Sequence, residues 1–147
     1  MSEENVEIVR RAFEVLEEGV RTRDPGAAFD KCVAQGLINS DLEVMGGRRG
    51  GTGVAGLDDV AGREGYVEFL RTFTEDFEDY AAENEQIIDA GNDRVVVITS
   101  AQGTGKESRV PVEMRNGMVF TLEAGCVVRI TLFIKPDDAL EAAGLSE

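Results

Sequence analysis

Residues 110–135, VPVEMRNGMVFTLEAGCVVRITLFIK, decide how this chain folds. In the first half Val110, Val112, Met114, Met118, Phe120 and Leu122 occupy alternate positions, with Asn116 the one polar member of the series. A period of two with one apolar face is the signature of a strand. Glu123-Ala124-Gly125 then supplies a tight turn. The chain returns with Val128, Ile130, Leu132 and Ile134 on one face and Val127, Arg129, Thr131, Phe133 and Lys135 on the other. That mixed second face suits a sheet surface meeting solvent or another subunit. Upstream, Ala90-Gly91-Asn92-Asp93 joins a strand ending near Asp89 to one over 94–102, which Gly103-Thr104-Gly105-Lys106 closes. From about Asp79 to Lys135 the hairpins follow one another without a helical crossover, which predicts an antiparallel sheet.

Helices come before that sheet. Val6, Val9, Phe13, Leu16 and Val20 recur at three- and four-residue steps, predicting an amphipathic helix of about 20 residues. Asp24 as N-cap and Pro25 at the first helical position start a second, short helix carrying Ala28, Phe29, Cys32 and Val33, which Gly36 ends in a left-handed conformation. Residues 41–45 alternate and read as a first strand, and the seven glycines between Gly46 and Gly62 read as a long loop. A third helix is expected from Arg63 to Phe77, with Tyr66, Leu70, Phe73 and Phe77 on one face and Phe69 beside them. Pro136 ends the last strand, and 137–145 suit one or two helical turns. Helices first and a sheet last predict an α+β fold in a single domain, 1–147, with the preceding helices over one face and a hollow between the layers.

With 147 residues the chain is long enough to bury a sizeable core. It carries 29 acidic against 15 basic residues, a net charge of −14, so phosphate backbones and anionic membrane surfaces are repelled. Nucleic acid and membrane are therefore not expected as partners. The acidic Met1-Ser2-Glu3-Glu4 start is unlike a signal peptide, and the expected location is cytoplasmic. Cys32 and Cys126 read as reduced, small apolar residues. There is no histidine, which excludes Ser-His-Asp, Cys-His and histidine-based zinc chemistry. Neither a metal nor a cofactor is expected.

Two glycine motifs carry little. Gly51-Thr52-Gly53-Val54-Ala55-Gly56 matches G-x-G-x-x-G, but no parallel βαβ unit follows, so it reads as loop. Gly103-Thr104-Gly105-Lys106-Glu107 lacks the first glycine and the magnesium-holding hydroxyl of a phosphate loop, and reads as a hairpin turn. Arg48 and Arg49 read as a solvated pair. Carboxylates and tyrosines remain as acid/base groups: Asp41, Glu43 and Tyr66 first, then Asp76, Glu113 and Tyr80. In an apolar cavity a carboxyl pKa rises by up to about 3–5 units, enough to make it a proton shuttle.

Three segments resemble one family. They are Glu4-Asn5-Val6-Glu7-Ile8-Val9-Arg10-Arg11-Ala12-Phe13, Gly62-Arg63-Glu64-Gly65, and Val119-Phe120-Thr121-Leu122 with Gly125 and Val127-Val128-Arg129-Ile130. Together they look like the SnoaL-like branch of the nuclear transport factor 2-like superfamily, which has the ketosteroid isomerase-like fold. The resemblance implies an α+β cone or roll, with a curved, mainly antiparallel sheet wrapped round helices, an apolar pocket at the open end and a homodimer formed through the sheet. It implies little about activity, because the superfamily holds isomerases, polyketide cyclases, epoxide hydrolases, dehydratases and proteins that only bind. Where ketosteroid isomerases place a donor tyrosine this chain has Ala12, and where they place the base aspartate it has Met45. Their second acid falls near Gly117 or Met118, and neither Val44 nor Asn116 restores a carboxylate. The expected activity is binding of a small apolar molecule by Phe13, Leu16, Val44, Met45, Tyr66, Leu70, Ile98, Asn116, Met118, Ile130 and Leu132. The alternative is an acid/base isomerase, cyclase or hydrolase using a pocket carboxylate.

Overall fold

A computed structural model describes residues 2–46, 62–133 and 135–145. The expected loop over 46–62, with Arg48, Arg49 and the Gly51–Gly56 motif, lies outside the described residues except at its two ends, as do Ile134 and the side chain of Phe73. Helix α1 spans Ser2–Arg21 and buries Val9, Ala12, Leu16 and Val20 along one stripe. Helix α2, Pro25–Ala34, starts where Asp24 accepts a hydrogen bond from the Ala27 amide at 3.2 Å. It ends in a Schellman motif: Gly36 takes φ +76°, its N–H donates to the Val33 carbonyl, and the Leu37 N–H donates to that of Cys32.

Strand β1, Ile38–Gly46, begins earlier than the 41–45 expected, because Ile38 pairs with Val127 and is buried by tertiary contact. Helix α3 covers Arg63–Asp76, and Phe77 opens β2, Phe77–Gly91, instead of closing the helix. Strands β3, Arg94–Gly105, β4, Pro111–Glu123, and β5, Cys126–Phe133, complete the sheet, followed by α4, Pro136–Ala142. The strand order is β1-β5-β4-β3-β2. β1 runs parallel to β5, and the other neighbours are antiparallel. No described helix is long and apolar enough to cross a membrane.

Bulges shape the sheet. β2 shifts register against β3 at Glu78/Ala81, Asn84/Gln86 and Asp89/Gly91, with Asp79 at φ 56°. Each extra residue bends the strand and increases its twist, so the edge of the sheet curls toward the helices. Another shift lies where Thr121 pairs with Arg129 but Leu122 pairs with Val127. Val128 is the extra residue. Val127 therefore joins the face of Ile130 and Leu132, and Val128 leaves it, the reverse of the simple alternation. Val110, expected as the first inward residue of β4, precedes the strand and is 52% exposed; its carbonyl accepts from the Gly105 amide to close the turn.

Both faces of the sheet are covered. Val95, Val97, Met118, Phe120, Leu122, Ile130 and Leu132 join the α1–α3 core. Val96, Ile98, Val119 and Phe133 form a second cluster with Ala139 and Ala143, in and just after α4. The expectation that helices cover one face holds for those that precede the sheet, and α4 caps the other. The close approach is made possible by Gly117, where an added Cβ would stand 2.6 Å from the Ala139 Cβ and 3.3 Å from the Pro136 Cα. We expect Gly117→Ala to destabilise the fold by about 1–3 kcal/mol in urea unfolding, as overpacking does. Adding Ala139→Gly is expected to recover part of that loss, giving a coupling of at least about 0.5 kcal/mol in a double-mutant cycle. Strict additivity would show that α4 does not rest on Gly117.

Candidate functional site

The layers do not meet everywhere. The helix-facing residues of β3 run Val95, Val97, Thr99, Ala101, so the wall shrinks toward the end of the strand where β2 curls over. A cavity of about 450 Å³ opens there between α1, α3 and the concave face of the sheet. From α1 come Phe13, Leu16, Glu17 and Val20; from α3, Tyr66, Phe69 and Leu70. The sheet contributes Tyr80 and Ala82 of β2, Thr99 of β3, the run Met114–Met118, Arg115 included, with Phe120 of β4, and Leu132 and Phe133 of β5.

Seven of the residues expected to contact a ligand come together in this wall: Phe13, Leu16, Tyr66, Leu70, Asn116, Met118 and Leu132. Four do not. Val44 and Ile130 are fully buried in the main core without reaching the cavity, and Met45 lies half-buried on β1 opposite Thr131. β1 sits beyond β5, under α2 and α3, which removes its side chains from the hollow. Ile98 belongs to the opposite face, against α4, because it is one residue from Val97 on a strand of period two.

The expected carboxylates are elsewhere. Asp41 and Asp76 are exposed, and Glu113 lies in a separate surface groove with Asp79 and Thr104. Glu43 pairs with Arg129 at 2.6 Å on the surface. Among the described residues one carboxylate lines the cavity, and it is Glu17. Its side chain is 14% exposed; Oε1 lies 3.2 Å from Arg21 Nε, and Oε2 accepts from the Ala82 amide at 3.4 Å. Thus α1 satisfies a backbone donor of edge strand β2 and places a charge in the wall. The sequence signal was available: Glu17 stands four residues after Phe13 and three before Val20, on the edge of the apolar stripe.

Tyr66 lies between Phe29, edge-on at 6.3 Å, and Phe69, stacked at 6.5 Å. Arg63 holds this corner, with its guanidinium 5.8 Å from the Phe29 ring centroid and 2.9 Å from both Asp30 oxygens. Burial pushes the Tyr66 phenol well above its ordinary range, and negative charge on Cys32 or Tyr80 would add to this. Burial, then Glu17, pushes Tyr80 up to about 12. Burial also pushes the Cys32 thiol up to about 11, leaving it an inert core group whose Sγ lies 3.8 Å from the Ala12 carbonyl. No three Cys, Asp or Glu side chains among the described residues converge on a point that could hold a metal ion.

Two further polar groups escaped the sequence pattern. Thr99, 4% exposed, lines the cavity, and Asn84 stands directly opposite it in the β2–β3 register. Neither Thr99 Oγ1 nor Asn84 Oδ1 has a hydrogen-bond partner among the described residues.

Comparison with known proteins accords with this architecture. The profile of the SnoaL-like domain family matches residues 9–130, most of the chain. The protein belongs to the SnoaL-like family. A structure from Jannaschia sp. CCS1, described as a SnoaL-like polyketide cyclase, superposes with a TM-score of 0.66 at 17% identity, over 90% of this chain and 86% of that one. TerC, co-crystallised with polyporic acid, gives 0.63 at 20% identity over 96% and 98%. A Catenulispora acidiphila protein with a ketosteroid isomerase-like fold, in complex with trimethylamine, gives 0.58 at 12% identity over 91% and 92%. At these identities the likeness establishes the shared fold. No curated protein matches the sequence.

The two tyrosines, the whole tyrosine content of the SnoaL-like chain, report on burial at this site. Their native pKa values lie above the ordinary 10.0. The neutral phenol is thus favoured in the folded state. The stability this confers is present below about pH 10 and is lost as pH rises through the native values. We expect absorbance at 295 nm to show almost no tyrosinate in the native protein at about pH 10.5, where the denatured chain is mostly ionised. Ionisation should then coincide with loss of stability. Native titration of both phenols at the denatured value would contradict the burial described.

Proposed function

We propose that the protein binds a small, predominantly apolar molecule in the cavity between α1, α3 and the sheet. The observation that carries the reading is the wall itself: Phe13, Leu16, Phe69, Leu70, Met118 and Phe120 around a volume within the roughly 300–1,000 Å³ of small-molecule sites. Methionines at Met114 and Met118 provide surface that adapts to differing ligand shapes. TerC, similar in fold, was co-crystallised with polyporic acid, a precedent for a small-molecule ligand on this fold. Self-association through the part of the outer sheet face that α4 leaves open belongs to the same reading; light scattering giving the monomer mass would remove it.

Ala82 is a small residue in the wall, so Ala82→Trp is expected to fill the cavity while preserving the circular dichroism of the fold. Wild type should bind naphthalene with a rise in melting temperature, and the variant should not. Equal binding by both would place the ligand elsewhere.

A second reading rests on Glu17, the carboxylate in the wall, with Tyr80 near it. Both its oxygens are engaged, by Arg21 and the Ala82 amide, which fixes the carboxylate in place at the cavity wall. That is the arrangement of a positioned general base for an isomerase or cyclase step, the activity named for the Jannaschia relative being polyketide cyclisation. Glu17→Gln separates the readings. Pure binding predicts affinity for a neutral apolar probe within about 3-fold of wild type, whereas acid/base turnover of a candidate polyketide substrate would fall by about 100-fold or more.

A further inference from the structure

The cavity is apolar on its helix side, but one row across the sheet is not. In the register Asn84 pairs with Thr99, and Thr99 pairs with Asn116, so three uncharged polar side chains stand side by side on β2, β3 and β4. All three face the helices. Ala82, two residues before Asn84, and Asn116 and Thr99 themselves line the cavity, and Val97 and Ile87 continue the same face into the main core. Adjacent strands lie about 4.8 Å apart, so the row spans roughly 10 Å, the length of a small ring system.

Thr99 is the centre of this row and is 4% exposed, as deeply buried as Tyr66. Its Oγ1 is buried with no hydrogen-bond partner among the described residues, and so is Asn84 Oδ1 opposite it. Leaving such groups unpaired is unfavourable, and most buried polar atoms in proteins are paired. A threonine could be replaced here by isosteric valine, matching Val95 and Val97 on the same face, with no loss of packing. Thr99 lines the cavity, and rotation about its χ1 would bring the sealed hydroxyl to the cavity surface, where a group that enters could pair it. Asn84 Oδ1 only accepts, while the Thr99 hydroxyl both donates and accepts. A ligand hydroxyl would meet both capacities of the Thr99 hydroxyl, accepting from it or donating to it, whereas a carbonyl would only accept. A charged group does not suit the place. Arg115 at the cavity is already paired with Glu85 at 2.8 Å, and Glu17 contributes negative charge that repels an anion.

We propose that Asn84, Thr99 and Asn116 form a recognition row that selects a neutral ring compound bearing a hydroxyl group, seated with that hydroxyl against Thr99. The inference rests on the cavity being a binding site, and deepens that reading by naming the ligand class. The probes are 2-naphthol and naphthalene, which share a ring system and differ by one hydroxyl. Fluorescence titration of wild type is expected to give at least about 10-fold tighter binding of 2-naphthol. Thr99→Val should keep its naphthalene affinity and reduce the preference to within about 3-fold. The ligand-free Thr99→Val protein is expected to melt at a higher temperature, since a buried unpaired hydroxyl is gone. Asn84→Leu, at the half-buried partner position, tests the same preference independently of the β3 substitution. Equal binding of the two probes by wild type, or an undiminished preference in both variants, overturns the recognition row and leaves the cavity reading standing. Binding of neither probe overturns both.

Discussion

Strand β3 is buried on both faces, and the rest of the architecture answers to that fact. Val95, Val96, Val97, Ile98 and Thr99 are all nearly inaccessible, so each side of the sheet needs a cover. On one side α1 and α3 supply it, with Val9, Ala12 and Leu16 in the same core as Val95 and Val97. On the other, α4 is drawn onto Val96 and Ile98 through the gap that Gly117 leaves. A sheet covered on both sides gains apolar burial on each, at roughly 25 cal/mol per Å², and cannot tilt freely under its helices. That rigidity is what allows a hollow to persist beside the core.

The hollow lies where this two-sided packing gives out. Past Val97 the inward residues of β3 become Thr99 and Ala101, too short to reach α1, while bulges at Asp79 and Asn84 turn β2 inward to form a side wall. Phe69, Tyr80, Met118 and Phe120 close round the space without filling it. The charged and polar groups in the wall are few. Glu17 is tied to Arg21 and to the edge of β2, and Thr99 with Asn84 carries unmet hydrogen-bonding capacity. The proposed binding of an apolar body with one polar point of attachment rests on that balance.

The fold was legible because its signals are local and repeated. Hairpin turns at Asn92-Asp93 and Ala124-Gly125 take consecutive positive φ values, as their composition suggested, and the alternate residues from Met114 to Leu122 keep one face of β4 inward. The family's segments at either end of the chain pointed to the same SnoaL-like architecture that the profile and the structural neighbours show. The site was legible in part. Residues on long regular elements, such as Leu16, Leu70 and Met118, could be assigned to a wall by periodicity. Ile98 could not, because in a run apolar at every position from Val95 to Ile98 nothing in composition says which face is which.

Helix and strand order, turn chemistry, the lack of histidine and the strong negative charge are properties of the chain read one segment at a time, and they settle fold class and exclude whole branches of chemistry. Which side chains meet is a different matter. A one-residue bulge put Val127 inside and Val128 outside, a parallel pairing extended β1 back to Ile38, and α4 claimed a face expected to meet solvent or another subunit. Glu17, Thr99 and Asn84 lie far apart in sequence, on a helix and two strands, and each alone resembles an ordinary polar residue. Only the register of β2 on β3 and the seat of α1 on their edge set Glu17 and Thr99 in one cavity wall with Asn84 beside Thr99, because contacts between distant segments depend on bulges and close approaches that no local pattern encodes.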